Sequence, residues 1–167
     1  MQKCSIYRSG LEHRYVYPIL KVLGDRLEKI EVISNISSPA NNDYSHLTGA
    51  WTECVNIKEL KVRQCALGNA KAIMATPKEH VKRLYIATPC YGMGESEVKK
   101  IMDAFSEGIH GVEEIAYTGK GINGDGFNKL ISRNRSSLRE AVIHDGRIAS
   151  KLGAVARVGG NSVVISC

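Results

Sequence analysis

The chain has 167 residues, of which 43% are hydrophobic and 24% charged, and its formal net charge is +6. This length suits a single domain, so we predict one α/β domain over residues 1–167. The sequence has neither a run of about 18 apolar residues nor a signal-peptide pattern, so we expect no membrane association and a cytoplasmic location. The five cysteines lack zinc-ligand spacing, so we expect no metal site, and any cofactor is unknown.

Strand-like and helix-like segments alternate along the chain. Short runs rich in apolar and β-branched residues predict five strands, over 4–8, 30–35, 82–89, 111–118 and 161–166. Apolar residues at helical spacing predict helices over 11–29, 52–76, 94–108 and 127–143. The second of these patterns also fits a shorter helix followed by a strand at 71–76. We identify no internal repeat.

This alternation of strands and helices is typical of βαβ units. It predicts an α/β fold, a Rossmann-like three-layer sandwich with a mainly parallel sheet of about five strands. Right-handed crossovers bring the loops that follow the strands to one edge of such a sheet. Open parallel sheets bind ligands at this carboxyl edge.

Two of the loops expected at the carboxyl edge are rich in glycine and lead into helices. Glycine allows close approach of the backbone, and helix N-termini offer free N–H groups to an anion. We therefore predict a domain that binds a nucleotide or another phosphate ligand. The predicted ligand-binding residues are Arg8, Ser9, Gly10, Gly92, Gly94, Thr118, Gly119, Lys120 and Gly121. A long glycine-rich surface turn explains the loop at 118–124 without a ligand.

Three residues are candidates for catalysis. Cys90 follows the third predicted strand and precedes a helix, a position that lowers the pKa of a thiol. His144 offers a base, and Asp145 offers a carboxylate to orient it. A buried inert thiol is the simpler explanation of Cys90, and an Asp-Gly turn is the simpler explanation of the sequence at 145–146. Whether the protein is an enzyme therefore stays open.

From residue 82 onward, the order of segments resembles half of a phospholipase D-type domain. The segments that carry the resemblance are "RLYIATPCYG", "VEEIAYTG", "AVIHDGRIA" and "RVGGNSV". The resemblance implies a phosphodiesterase or nuclease, with a catalytic histidine and lysine two residues apart near 138–146. The sequence "LREAVIHDG" has no such pair, so the implied arrangement is degenerate and the activity is an alternative to ligand binding.

Positive charge is concentrated in the last part of the chain. From Lys120 to Cys167, eight Lys and Arg residues stand against three acidic residues. The predicted helix at 127–143 carries four of these cations, Lys129, Arg133, Arg135 and Arg139. This asymmetry predicts an anionic partner, either a small molecule or a nucleic acid, and a solvated basic helix face explains it as well. The oligomeric state is unknown.

Overall fold

The computed structural model describes residues 2–7, 13–33, 48–63, 67–76, 78–87, 94–118, 124–144 and 162–165. These residues form seven strands, five α-helices and one 3-10 turn at Gly24–Arg26. The strands are β1 (Gln2–Tyr7), β2 (Leu27–Ile33), β3 (Glu59–Arg63), β4 (Arg83–Ala87), β5 (Glu114–Thr118), β6 (Glu140–His144) and β7 (Ser162–Ile165). The helices are α1 (His13–Leu23), α2 (Thr48–Trp51), α3 (Leu67–Met74), α4 (Glu95–Gly108) and α5 (Gly124–Arg133). Among these residues no helix combines the length and apolarity that crossing a membrane requires.

All seven strands belong to one parallel sheet. Their order in the sheet is their order in the chain, from β1 to β7. The predicted Rossmann-like α/β fold, with a parallel sheet and flanking helices, is confirmed, and all five predicted strands occur. Because the strands run in one direction, their carboxyl ends lie at one edge of the sheet, as predicted.

Two further strands lie inside segments with predicted helical patterns. β3 interrupts the pattern over 52–76, and β6 occupies the end of the pattern over 127–143. The helix predicted to continue to residue 143 ends at Arg133, where α5 stops. In both places a strand of five residues is too short to show its alternation against neighbouring apolar residues at helical spacing.

The described helices form one continuous layer. α1 contacts α2, α2 contacts α3, α3 contacts α4, and α4 contacts α5. Right-handed crossovers between strands that follow chain order place every helix on the same face of the sheet, which explains this layer. A second helical layer, as in the predicted three-layer sandwich, is not found in the part of the chain that the structure describes.

The core between the sheet and the helices repeats from strand to strand. Strands β2 to β6 each carry the pattern apolar-x-x-apolar-x-apolar, starting at or just before the strand. The buried members are Leu27, Ile30, Val32, Ile57, Leu60, Val62, Val81, Leu84, Ile86, Val112, Ile115, Tyr117, Leu138 and Ala141. The first positions of successive patterns are 30, 24, 31 and 26 residues apart. The sequence therefore contains an internal repeat, contrary to the expectation of none. Connections of unequal length conceal it.

Backbone hydrogen bonds show the same repetition at the amino edge of the sheet. The N–H of Lys58 donates to the carbonyl of Glu28 at 2.7 Å, and the N–H of Lys82 donates to the carbonyl of Lys58 at 2.8 Å. The N–H of Glu113 donates to the carbonyl of Lys82 at 2.9 Å, and the N–H of Arg139 donates to the carbonyl of Glu113 at 2.7 Å. Each bond joins equivalent positions of the repeated pattern. Successive units, each made of one strand and the segment that follows it, therefore stack in a constant register.

Candidate functional site

The face of the sheet opposite the helices is lined by polar and small side chains, and we call it the open face. Alternate residues of each strand point to this face. Its side chains from β2 to β6 are Lys29, Glu31, Glu59, Lys61, Arg63, Arg83, Tyr85, Ala87, Glu114, Ala116, Thr118, Glu140 and Val142. Parallel sheets are ordinarily covered on both faces. In the described residues, a polar face without a helical layer is therefore the feature that most needs a functional explanation.

One row of the open face, nearest the amino ends of the strands, alternates in charge. Lys29, Glu59, Arg83 and Glu114 lie directly beside one another across β2 to β5. Lys29 pairs with Glu59, and the Nη1 of Arg83 lies 4.0 Å from the Oε2 of Glu59. The Nε of Arg83 lies 3.0 Å from the Oε2 of Glu114. These cross-strand pairs hold the side chains of the row in a fixed arrangement.

The next part of the open face has two cations for one carboxylate. The Nε of Arg63 lies 3.1 Å from the Oε1 of Glu31, and the Nζ of Lys61 lies 3.9 Å from the same oxygen. The Nζ of Lys61 also lies 5.5 Å from the ring centroid of Tyr85, within the range of a cation–π contact. Positive charge therefore exceeds negative charge at this position.

A shallow cleft of about 290 Å³ lies beside these cations. Lys61, Arg63, Tyr85 and Thr118 contribute to its lining, and the small side chains of Ala87 and Ala116 contribute as well. Burial raises the pKa of the Tyr85 phenol, with the nearby carboxylates of Glu59 and Glu114 as further causes. The phenol is therefore neutral at physiological pH and offers a hydroxyl donor.

The structure brings two of the residues predicted as a site to adjacent positions. Thr118 ends β5 with an exposed side chain, and its backbone is in register with that of His144 at the end of β6. The other predicted residues at this edge lie outside the described residues, and these are Arg8, Ser9, Gly10, Cys90, Gly92, Gly119, Lys120, Gly121 and Asp145. Their predicted roles stay predictions.

Gly94, the remaining predicted ligand-binding residue, immediately precedes α4. Its φ is −80°, and a Cβ at this position would have no atom within 4 Å. Neither the backbone conformation nor the available space therefore requires glycine here. Glu95 and Glu97 lie in the first turn of α4 and already compensate the positive end of its dipole. These carboxylates disfavour a second anion at this helix.

Three of the four cations of the predicted basic helix, Lys129, Arg133 and Arg139, contact other groups of the protein. The Nζ of Lys129 lies 3.4 Å from the Oδ1 of Asp103 on α4. The Nη1 of Arg133 donates to the backbone carbonyl of Ser106 at 2.7 Å. Arg139 lies beyond the end of α5 and pairs with a glutamate of the preceding unit. These contacts attach α5 and the following segment to the rest of the fold, so they reduce the charge available for a nucleic acid.

Lys78 is a fully buried cation that the sequence did not single out. Its Nζ donates to the carbonyls of Trp51 and Thr76, each at 3.0 Å. Burial lowers the pKa of the Lys78 ammonium, although the nearby thiol of Cys54 acts in the opposite direction. Because both partners are backbone carbonyls of adjacent turns, the contact joins α2 to the end of α3 and has a structural role. Among the described residues no group of three or more His, Cys, Asp or Glu side chains is placed to hold a metal ion.

No protein-family model matches the chain, and no curated protein and no solved structure matches it. The arrangement of its own residues is therefore the basis for any functional proposal. The open face was not anticipated from the sequence, although its signal was present. The segments "ELKVR", "RLYIA" and "EIAYT" each alternate between core residues and polar or small residues.

Proposed function

We propose that the protein is a binding module that recognises a partner protein through the open face of its sheet. The observation that carries the proposal is the contrast between the two faces of the sheet. One face buries the repeated apolar core under helices, and the other presents charged, aromatic and small side chains. Because the apolar residues lie on the helix-covered face, the polar face is available for a partner without exposure of the apolar core.

The repeated architecture supports this proposal. Consecutive βα units that contact mainly their neighbours form an extended surface, which repeat proteins use for binding. The spacing apolar-x-x-apolar-x-apolar on β2 to β6 is also that of leucine-rich repeats, in which the strands line the inner surface of a horseshoe. The spacing is support by analogy, since the chain matches no family model.

The arrangement of charges on the open face supports the proposal for a second reason. Ion pairs across β2 to β5 fix long side chains before any partner binds. Side chains that are already ordered lose less conformational entropy on binding, which is worth about 0.5–1.5 kcal/mol for each flexible side chain. The open face is therefore preorganised for a partner with matching charges.

Selection from a random peptide library displayed on phage tests this proposal directly. We expect enriched peptides to bind the wild-type protein, and Ala116→Arg to weaken their binding by about tenfold or more, which corresponds to about 1.4 kcal/mol. The long side chain would fill the cleft between Tyr85 and Thr118. Ala75→Arg is the matched control, because Ala75 is exposed just after α3 and away from the sheet.

Equal binding to Ala116→Arg and to the wild-type protein would refute this role of the open face, as would a selection that enriches no peptide. Circular dichroism of each variant checks that the fold is retained. These controls separate a blocked surface from a damaged fold.

A small anionic ligand, such as a nucleotide or phosphate, is the second candidate. Lys61 and Arg63 bring positive charge to the cleft, and Thr118, one of the predicted ligand-binding residues, lines it. Thermal stabilisation by mononucleotides or by inorganic phosphate, abolished in Arg63→Gln, would favour this candidate. A ligand at a hundred times its Kd adds about 2.7 kcal/mol to the free energy of unfolding.

A further inference from the structure

We infer that the partner presents an aspartate or glutamate side chain to the cleft beside Lys61 and Arg63. This inference rests on the proposed function, because it assigns the chemistry of the residue that the open face recognises. The acidic residue then belongs to the part of the partner segment that crosses β3, β4 and β5.

The described charges at the cleft are unbalanced. Glu31 is the carboxylate that faces both Lys61 and Arg63, and its side chain is only 9% exposed. By contrast, the side chain of Arg63 is 49% exposed and that of Lys61 is 31% exposed. The carboxylate of Glu31 is thus buried on the open face, whereas its two cationic partners are partly exposed to solvent. A second carboxylate would complete the pairing of the two cations.

The guanidinium of Arg63 has the geometry to bind a carboxylate. Arg63 faces Glu31 through its Nε atom, and a guanidinium carries four further N–H donors on its two terminal nitrogens. These donors form a planar fork that matches the two oxygens of a carboxylate. The hydroxyl of Tyr85 provides a neutral donor in the same cleft. The recognised group is therefore an acceptor with negative charge.

The floor of the cleft is formed by small side chains. Ala87 lies between Arg63 and Thr118 on adjacent strands, Ala116 lies beside Tyr85 in the neighbouring row, and neither alanine extends beyond Cβ. Neighbouring strands are about 4.8 Å apart, so this low region is about 10 Å wide between Arg63 and Thr118. That width accommodates one extended segment with a short acidic side chain directed toward the guanidinium.

The row nearest the amino ends of the strands has no such excess of positive charge. By register, its acidic residues are Glu59, Glu114 and Glu140, and its basic residues are Lys3, Lys29 and Arg83. An acidic side chain of the partner is therefore attracted more strongly at Arg63 than in this row, which favours one position of the partner on the sheet.

The test uses the peptides that the phage selection enriches on the full chain. We expect these peptides to contain aspartate or glutamate, and Arg63→Gln to weaken their binding by about tenfold. Arg135→Gln is the matched control, because it removes the same charge from an exposed residue after α5, outside the open face. We expect it to change the Kd by less than about twofold, because salt screens an exposed charge that lies outside the binding surface. A peptide with its acidic residue changed to arginine should recover affinity for Arg63→Glu.

The outcomes separate the two proposals. If Ala116→Arg abolishes binding but the peptides are not acidic, or Arg63→Gln binds them as tightly as the wild-type protein, the acidic partner is refuted and the open face remains the binding surface. If binding requires a free C-terminal carboxylate and is lost on amidation, the assignment to an acidic side chain is also refuted. If no peptide depends on Ala116, both proposals fail together.

Discussion

Two fully buried polar side chains stabilise junctions between units at the scale of single residues. Lys78 donates to the carbonyl of Trp51 at 3.0 Å. Asn134 accepts from the N–H of Val112 at 3.0 Å and donates to the carbonyl of Leu130 at 2.9 Å. All three partners are backbone groups, so these side chains satisfy polar atoms that the repeat would otherwise bury without hydrogen bonds. Neither residue belongs to the open face.

The buried lysine makes a prediction about pH. Burial lowers the pKa of Lys78 below its usual value of 10.5. Between the folded-state pKa and 10.5, the unfolded chain therefore holds a proton that the folded protein has released. Stability from this group is therefore complete above about pH 10.5 and is lost as the pH falls through the folded-state pKa. We expect the free energy of unfolding of the wild-type protein to rise relative to that of Lys78→Met as the pH increases from neutral to 10.5.

Urea denaturation at several pH values measures this difference. Lys71→Met is the matched control for the loss of a lysine, since Lys71 is exposed on α3. A constant difference between the wild-type protein and Lys78→Met across this range would show that Lys78 keeps its usual pKa in the folded state.

At the scale of elements, α3 and α4 pack closely where Gly108 ends α4. A Cβ built on Gly108 would lie 2.7 Å from the Sδ and 3.0 Å from the Cβ of Met74. We expect Gly108→Ala to destabilise the protein by about 1 kcal/mol, because displacement of Met74 outweighs the higher helix propensity of alanine. Gly94→Ala, at the other end of α4, introduces a Cβ into open space and should cost less than about 0.5 kcal/mol.

Thermal or urea unfolding of both glycine variants provides the measurement. Equal stabilities for Gly108→Ala and Gly94→Ala would show that Met74 moves aside without cost, and that the contact between α3 and α4 is looser than described.

The sequence predicted five of the strands and missed two that adjoin apolar residues at helical spacing. The apolar run ending in "LYIA" predicted β4, and α4 followed from its helical period and acidic first turn. β3 was missed because its buried residues Leu60 and Val62 also fit the helical spacing of Val55 and Ile57. The repeat was missed for a related reason, since connections of unequal length separate the equivalent positions.

The candidate site depended on information that a single sequence does not contain. The alternating polar residues of β3, β4 and β5 were visible, but their cross-strand partners follow from the register of the sheet. The sequence placed the ligand in loops at the carboxyl edge, and Thr118 is the predicted residue that also lines the cleft. The cleft itself is formed by strand residues, which periodicity alone marks only as the polar side of a sheet.

At the scale of the whole molecule, the two faces of the sheet differ in composition, because strands arranged in chain order place every described helix on one face. The helices bury one face, and the repeated apolar pattern supplies half of the buried apolar residues described. The opposite face keeps charged side chains in cross-strand pairs and adds a cleft with excess positive charge. We propose that recognition uses the open face, whose buried carboxylates Glu31 and Glu59 also support the fold through their ion pairs.

The most direct test of this account is amide chemical-shift mapping of the isotope-labelled protein with a peptide enriched in the selection. We expect the largest shifts at residues 59–63, 83–87 and 114–118, the strands that bear the cleft, and small shifts throughout α4. Shifts concentrated on α3, α4 and α5, with β3 to β5 unperturbed, would place the partner on the helical layer and contradict the proposed function.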